Sequence, residues 1–314
     1  MTTTVATEQT LTQRQLKARA GRRRLAGKLS AIIGTLPMMI VAIGVFVIGI
    51  TFTVVLSFTN SKLFPSFNFV GWRQYEILWA TPRWQQSVIN IWFYGFGHIA
   101  LCLSLGFALA VAIDQRVRGE DTFRTVFLYP FALSAVITGL VWQLMLDPNW
   151  GFQAFVRSLG YTDFTFAPLA SSNTALLGMV VASVWNGVGV TMAILLSGLR
   201  GVDEEIWKAA RIDGIPTWRT YLSIVVPMMR GAIATALVLL VVNVVRTFDI
   251  VIAMTGGGPG ISTQMPATYV IDNINSRNVG HGMAAATCML LPIAALIIVQ
   301  AVYRWRASRS GRTA

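Results

Sequence analysis

Apolar runs dominate the chain. Six of them, 31–58, 88–113, 123–146, 174–199, 222–252 and 281–303, are each long enough for the roughly 20 residues a helix needs to cross a bilayer. The pattern predicts an all-α integral membrane protein with six transmembrane helices. The first run is too long for a signal-peptide core, and no clean cleavage-like site follows it, so it is expected to be retained. The connections 59–87, 147–173 and 253–280 are too short to hold a recognition domain. One connection differs in kind. The stretch DEEIWKAARIDGIP, Asp203–Pro216, carries six charges in fourteen residues.

Composition agrees with the pattern. Hydrophobic residues make up 54% of 314 and charged residues 12%, whereas a soluble domain carries about 25% charge. The formal charge of +12 invites a nucleic-acid reading, but its distribution argues against one. Of the 25 Lys and Arg, 19 fall in the N-terminal tail, in the connections after runs two and four together with the starts of the runs that follow them (Arg124, Arg230), and in the C-terminal tail. Five lie on the opposite side, and Arg246 lies within run five. Cytoplasmic loops of membrane proteins collect such residues, so both termini are predicted to be cytoplasmic. The organisation expected is a basic tail 1–30, a six-span domain 31–305 and a C-terminal tail 306–314. Cys102 and Cys288 sit inside apolar runs and read as small core residues rather than a disulfide. Two histidines and two cysteines give no convincing metal cluster.

The charged stretch reads as a short capped helix over about 203–213. Asp203 suits the N-cap, and Glu204 and Glu205 occupy the first turn, where the helix dipole favours anions. Lys208 and Arg211 follow toward the other end. Gly214 is placed to end the helix and Pro216 prevents its continuation. Ile206, Ala209 and Ala210 fall at i, i+3 and i+4, a small apolar face. Such a helix either rests on lipid headgroups or docks into a cytoplasmic partner.

The segment KAARIDGIPTWRTYLSIVVP resembles the EAA loop of ABC importer permeases, with Ala209, Ala210, Asp213, Gly214 and Pro227 matching and Lys208 standing in place of the family's Glu. The stretches FDIVIAMTGGGPGISTQMPATYVID and SFTN…FVGWRQYEIL are similar to carbohydrate importer permeases of the maltose-transporter type. The resemblance covers most of 30–305. It implies the type I ABC importer permease fold and a bacterial inner-membrane location. It also implies that 203–213 is a coupling helix, with Glu204, Glu205, Ile206, Ala209, Ala210, Asp213, Gly214 and Pro227 as its coupling residues. Implied partners are a second homologous permease subunit, two ATPase subunits and an extracytoplasmic solute-binding protein. ATP and Mg would bind on the ATPase, with no cofactor on this chain.

Enzyme chemistry finds no foothold. GRRRLAGKLS departs from a phosphate-binding loop in its glycine spacing and has Leu29 where Ser or Thr belongs. TGGGPG lacks the following Lys. A transport path needs polar groups within spans, where ionisable residues are costly and tend to face a cavity. Run five offers Asn243, Arg246 and Thr247 on one helical face, with Asp249 spaced to pair with Arg246. Run two offers Asn90, Tyr94 and His98 at intervals of four, which either line a cavity or bond to neighbouring spans. Trp142, Trp185 and Asn186 complete the candidates, since Trp faces suit sugar rings as well as cores. The expected function is import of a saccharide, glycoside or polyol by alternating access. An ion-coupled secondary transporter or a membrane scaffold is the alternative, the former needing more carboxylates in the spans than Asp249 supplies.

Overall fold

The computed structural model describes residues 32–115 and 118–309; the expected basic tail 1–30 and the end of the C-terminal tail lie outside them. The chain divides into two compact units, one reaching Val55 and one starting at Leu56. The first unit holds all but the last two residues of α1, Ile32–Ser57, a 26-residue apolar helix with a π-helical stretch at Ala42–Ile48. Thr51 and Thr53 stay inside it because their hydroxyls donate to the carbonyls of Val47 and Gly49, four residues back, at 2.7 and 2.9 Å.

The regular elements of the second unit are helices, joined by turns and loops that include one isolated bridge between Thr59 and Phe69. Its elements run α2 Arg73–Ala80, α3 Pro82–Asp114, α4 Glu120–Ala132, α5 Ala135–Met145, α6 Phe152–Ser158 and α7 Ala175–Arg200. Then follow α8 Glu204–Ile212, α9 Thr217–Met228, α10 Arg230–Val245, α11 Asp249–Met254, α12 Pro266–Asn275 and α13 Val279–Arg309. Helices α3 and α7 form the central pair. They approach closely where Gly106 meets Thr191 and Met192, with about 3 Å between its Cβ position and their atoms. Three buried clusters surround the pair. Tyr94, Met179, Val244 and Val251 belong to the first, Met192, Leu195, Leu199 and Tyr221 to the second, and Trp84, Tyr269 and Ala285 to the third.

Two expected spans are not straight. Run 123–146 divides into α4 and α5, which bend by 97°; run 222–252 divides into α9 and α10, which bend by 75°. Among the described residues three helices, α1, α3 and α7, are long and apolar enough to cross a membrane unbroken, or five positions if each bent pair is one span. The sixth expected span, 281–303, falls within α13. The first bend has a local cause. Pro130 removes a backbone donor in the last turn of α4. Leu133 and Ser134 are extended, and the Ser134 hydroxyl accepts from the Ile137 N–H at 3.2 Å, capping a new helix. The second bend follows Pro227 by two residues, at Met229 (φ −88°, ψ 20°). Pro227 is exposed and marks the bend.

Candidate functional site

Helix α8 forms where the sequence places it. The Asp203 carboxylate accepts from the Glu205 N–H at 3.1 Å, and Glu204 pairs with Lys208 across one turn at 3.4 Å. Both partners are mostly exposed, so this pair contributes little stability. It does neutralise the lysine that replaces the family's glutamate. At the other end the Gly214 N–H donates to Arg211 O at 3.2 Å and the Ile215 N–H to Ala210 O at 3.0 Å, the two bonds of a Schellman motif. Gly214 has φ +68°, a conformation that costs a side-chain-bearing residue energy.

The helix is seated on its own chain. The Trp207 ring meets Tyr221 edge-on, with centroids 5.0 Å apart, and Gln115 donates to the Tyr221 hydroxyl at 3.1 Å. Arg200, the last residue of α7, reaches Glu120 at 2.8 Å and Asp114 at 3.6 Å. These groups line an open cavity of about 1080 Å³ beneath α8.

This seating corrects the expected docking face. Ala210 is only 4% exposed and Ile206 is half-buried, so both face inward. At about 100° per residue, the opposite face carries Glu205, Lys208, Ala209 and Ile212. Ile212 is 85% exposed. Reading the phase from the alanine pair misses it; the signal available was an isoleucine half a turn from Ala210 in the last turn of a charged helix. Asp213 is the exposed C-cap.

The residues proposed for a transport path separate. Helix α10 stops at Val245 and Phe248 breaks the chain (φ −132°, ψ −58°), so Asn243, Arg246, Thr247 and Asp249 do not share one continuous helical face. Thr247 is buried and its hydroxyl donates to Asn243 O at 3.0 Å. Asn243, Arg246 and Asp249 are exposed at the break, and the ion pairs of the described residues do not include Arg246 with Asp249. Tyr94 is core: 3% exposed, its hydroxyl 2.6 Å from that of Ser183, its ring stacked on His98. Asn90 is also buried and donates to Gln264 O at 2.9 Å. Asn186 serves the first bend, donating to Pro130 O at 2.7 Å and to the Thr138 hydroxyl at 3.2 Å. Trp185 lies edge-on to Trp142 at 6.1 Å, both half-buried. Asn243, Arg246 and Asp249 therefore remain as exposed polar groups at a discontinuity within an apolar run.

Residues 103–309 match the family described as binding-protein-dependent transport system inner membrane component. A probable ABC transporter permease protein of Pyrococcus horikoshii is 34% identical over 286 residues, covering 90% of this chain and 97% of its own length. The trehalose/maltose transport system permease protein MalF of Thermococcus litoralis is 27% identical over 84% of this chain and 90% of its own length. A crystal structure of a bacterial alginate ABC transporter, in complex with alginate pentasaccharide-bound periplasmic protein, contains a chain that superposes with a TM-score of 0.70. The two share 16% identity, over 92% of this chain and 98% of that one. The fold is thus that of an ABC importer permease, and the chain belongs to the binding-protein-dependent transport system inner membrane component family.

Proposed function

We propose that this chain is the permease subunit of an ATP-driven importer that moves a sugar or sugar-like solute into the cytoplasm by alternating access. The observation that carries the reading is α8: a helix capped at both ends, seated on Tyr221, with Ile212 85% exposed on its free face. The family membership supports docking of that face on a separate ATPase subunit, which would bind the ATP and Mg. The names of the relatives, trehalose/maltose permease among them, support the solute class. A second permease subunit and a solute-binding protein on the far side would complete the assembly. ATP-dependent uptake by the purified complex in proteoliposomes, insensitive to ionophores and dependent on the binding protein, is the expected result. Uptake that follows an ion gradient without ATP would establish a secondary transporter instead.

The orientation follows from the charge asymmetry of 19 to five. Reporter fusions at Ser66, Ser171 and Asn275 are expected to report the outside, and fusions at Gly119 and Thr217 the cytoplasm. One connection on the opposite side overturns the arrangement.

Asn243, Arg246 and Asp249 at the α10–α11 break are the solute contacts in this reading. The arginine guanidinium forms planar paired bonds with oxygen groups. Arg246→Ala is expected to lower uptake at limiting solute at least about tenfold, the loss of one charged hydrogen bond of about 1.5–3 kcal/mol, with assembly unchanged. Wild-type uptake kinetics in an assembled mutant would remove Arg246 from the path.

A further inference from the structure

Helix α3 is a long unbroken helix of the second unit whose side chains at both ends tie to the two segments partners are expected to touch. At its first turn the Arg83 guanidinium pairs with Asp272 of α12 and donates to Gln264 Oε1 at 3.1 Å. Gln264 is 2% exposed and donates in turn to the Thr268 hydroxyl at 3.1 Å and to Asp272 at 3.3 Å. Two turns further on, Asn90 grips the carbonyl of the same Gln264. The glycine-rich turn Thr255–Gln264 and helix α12 are therefore fastened to the start of α3. At the other end, Asp114 pairs with Arg200 and Gln115 holds the Tyr221 hydroxyl, the ring on which Trp207 of α8 rests. Between these ends lie 33 helical residues, about 50 Å at 1.5 Å per residue. Spans α4–α5 and α9–α10 are sharply bent and transmit displacement poorly. Helix α7 has its far end fastened to Pro168 through Thr174, and its side-chain hydrogen bond with the 255–264 turn is the long 3.9 Å contact of Thr255 with Met179.

We infer that α3 is the push-rod of the importer: the Arg83–Gln264–Asp272 tie senses a partner docked on the 255–275 segment, and the Gln115–Tyr221 tie passes the movement to α8. Arg83, Asn90 and Tyr221 are then positioning residues, acting through one rigid helix. The inference rests on the importer reading.

The test uses the whole complex in lipid nanodiscs: this chain, its second permease subunit, the ATPase subunits and the solute-loaded binding protein. The readout is the ratio of ATP hydrolysis with and without the binding protein. Arg83→Met cuts the outer tie; Tyr221→Phe removes the hydroxyl held by Gln115 while keeping the ring under Trp207. Each is expected to lower the ratio about fivefold or more, the scale of a typical coupling between sites. The double variant is expected to lose no more than the worse single one, because both cut the same rod, and Arg83→Lys is expected to recover part of the loss. If Arg83→Met does not assemble, Asn90→Leu cuts the outer tie without removing a charge. Losses that multiply in the double variant, or single variants with the wild-type ratio, overturn the rod. A wild-type complex without ATPase association or stimulation overturns the importer reading itself.

Discussion

Ile212→Asp is expected to remove the ATPase subunit from the complex while the chain still inserts in the membrane. Ile212 is 85% exposed at the end of α8, and α8 is anchored from the opposite side by Trp207 and Ala210. A large aliphatic group held rigidly in the open has the character of an interface anchor, whose loss costs about 2–4 kcal/mol. The carboxylate adds desolvation against any apolar groove. Gly214→Val should fail for a different reason. At φ +68° a β-branched residue is strained, so the Schellman closure opens and α8 points elsewhere. Co-purification of the ATPase, together with its stimulation by loaded binding protein, measures both effects. Wild-type behaviour in both variants would mean that α8 merely lies on the membrane. Ala210→Trp is a poor probe of docking, because Ala210 is packed inside the chain.

Gly189→Ala is expected to destabilise the folded chain more than any exposed-loop change. A Cβ at Gly189 would stand 1.9 Å from the carbonyl oxygen of Phe127 and 2.6 Å from its carbon. Those atoms are backbone, which cannot rotate aside, so α7 and α4 must separate. Overpacking of this kind costs about 1–3 kcal/mol or more. Gly231→Ala is the control: it lies in α10 with nothing within 4 Å of its Cβ position, and alanine there gains about 0.5–1 kcal/mol of helix propensity. The melting temperature of detergent-extracted protein, and the monodisperse fraction, should separate the two. Equal stability of both variants would contradict the close crossing.

Much of this fold was legible in the sequence. Run length placed α1 and α7 within one residue at each end and α3 within one residue at its end but six late at its start, because a helix satisfies its own backbone groups in lipid. Asp203 and Gly214 marked α8 because caps are local chemistry. The bends were not legible as bends. Pro130 and Ser134 were visible, but whether a helix snaps or curves there depends on Asn186, donated from another helix. Likewise the inward face of α8 is decided by Tyr221, which periodicity within 203–213 cannot reveal. The expected Arg246–Asp249 pair fails because Phe248 breaks the helix whose geometry the spacing assumed.

The Asn186 bond carries a consequence for biogenesis. Helices α4 and α5 have 13 and 11 residues, about 20 and 17 Å, and neither alone reaches across about 30 Å of hydrocarbon. With a 97° bend between them, the two do not add up to one straight span. The side-chain partner at the bend arrives 56 residues behind Pro130, roughly 3–11 s later at about 5–20 residues per second. For that interval the nascent chain lacks the side chain that ties off the bend.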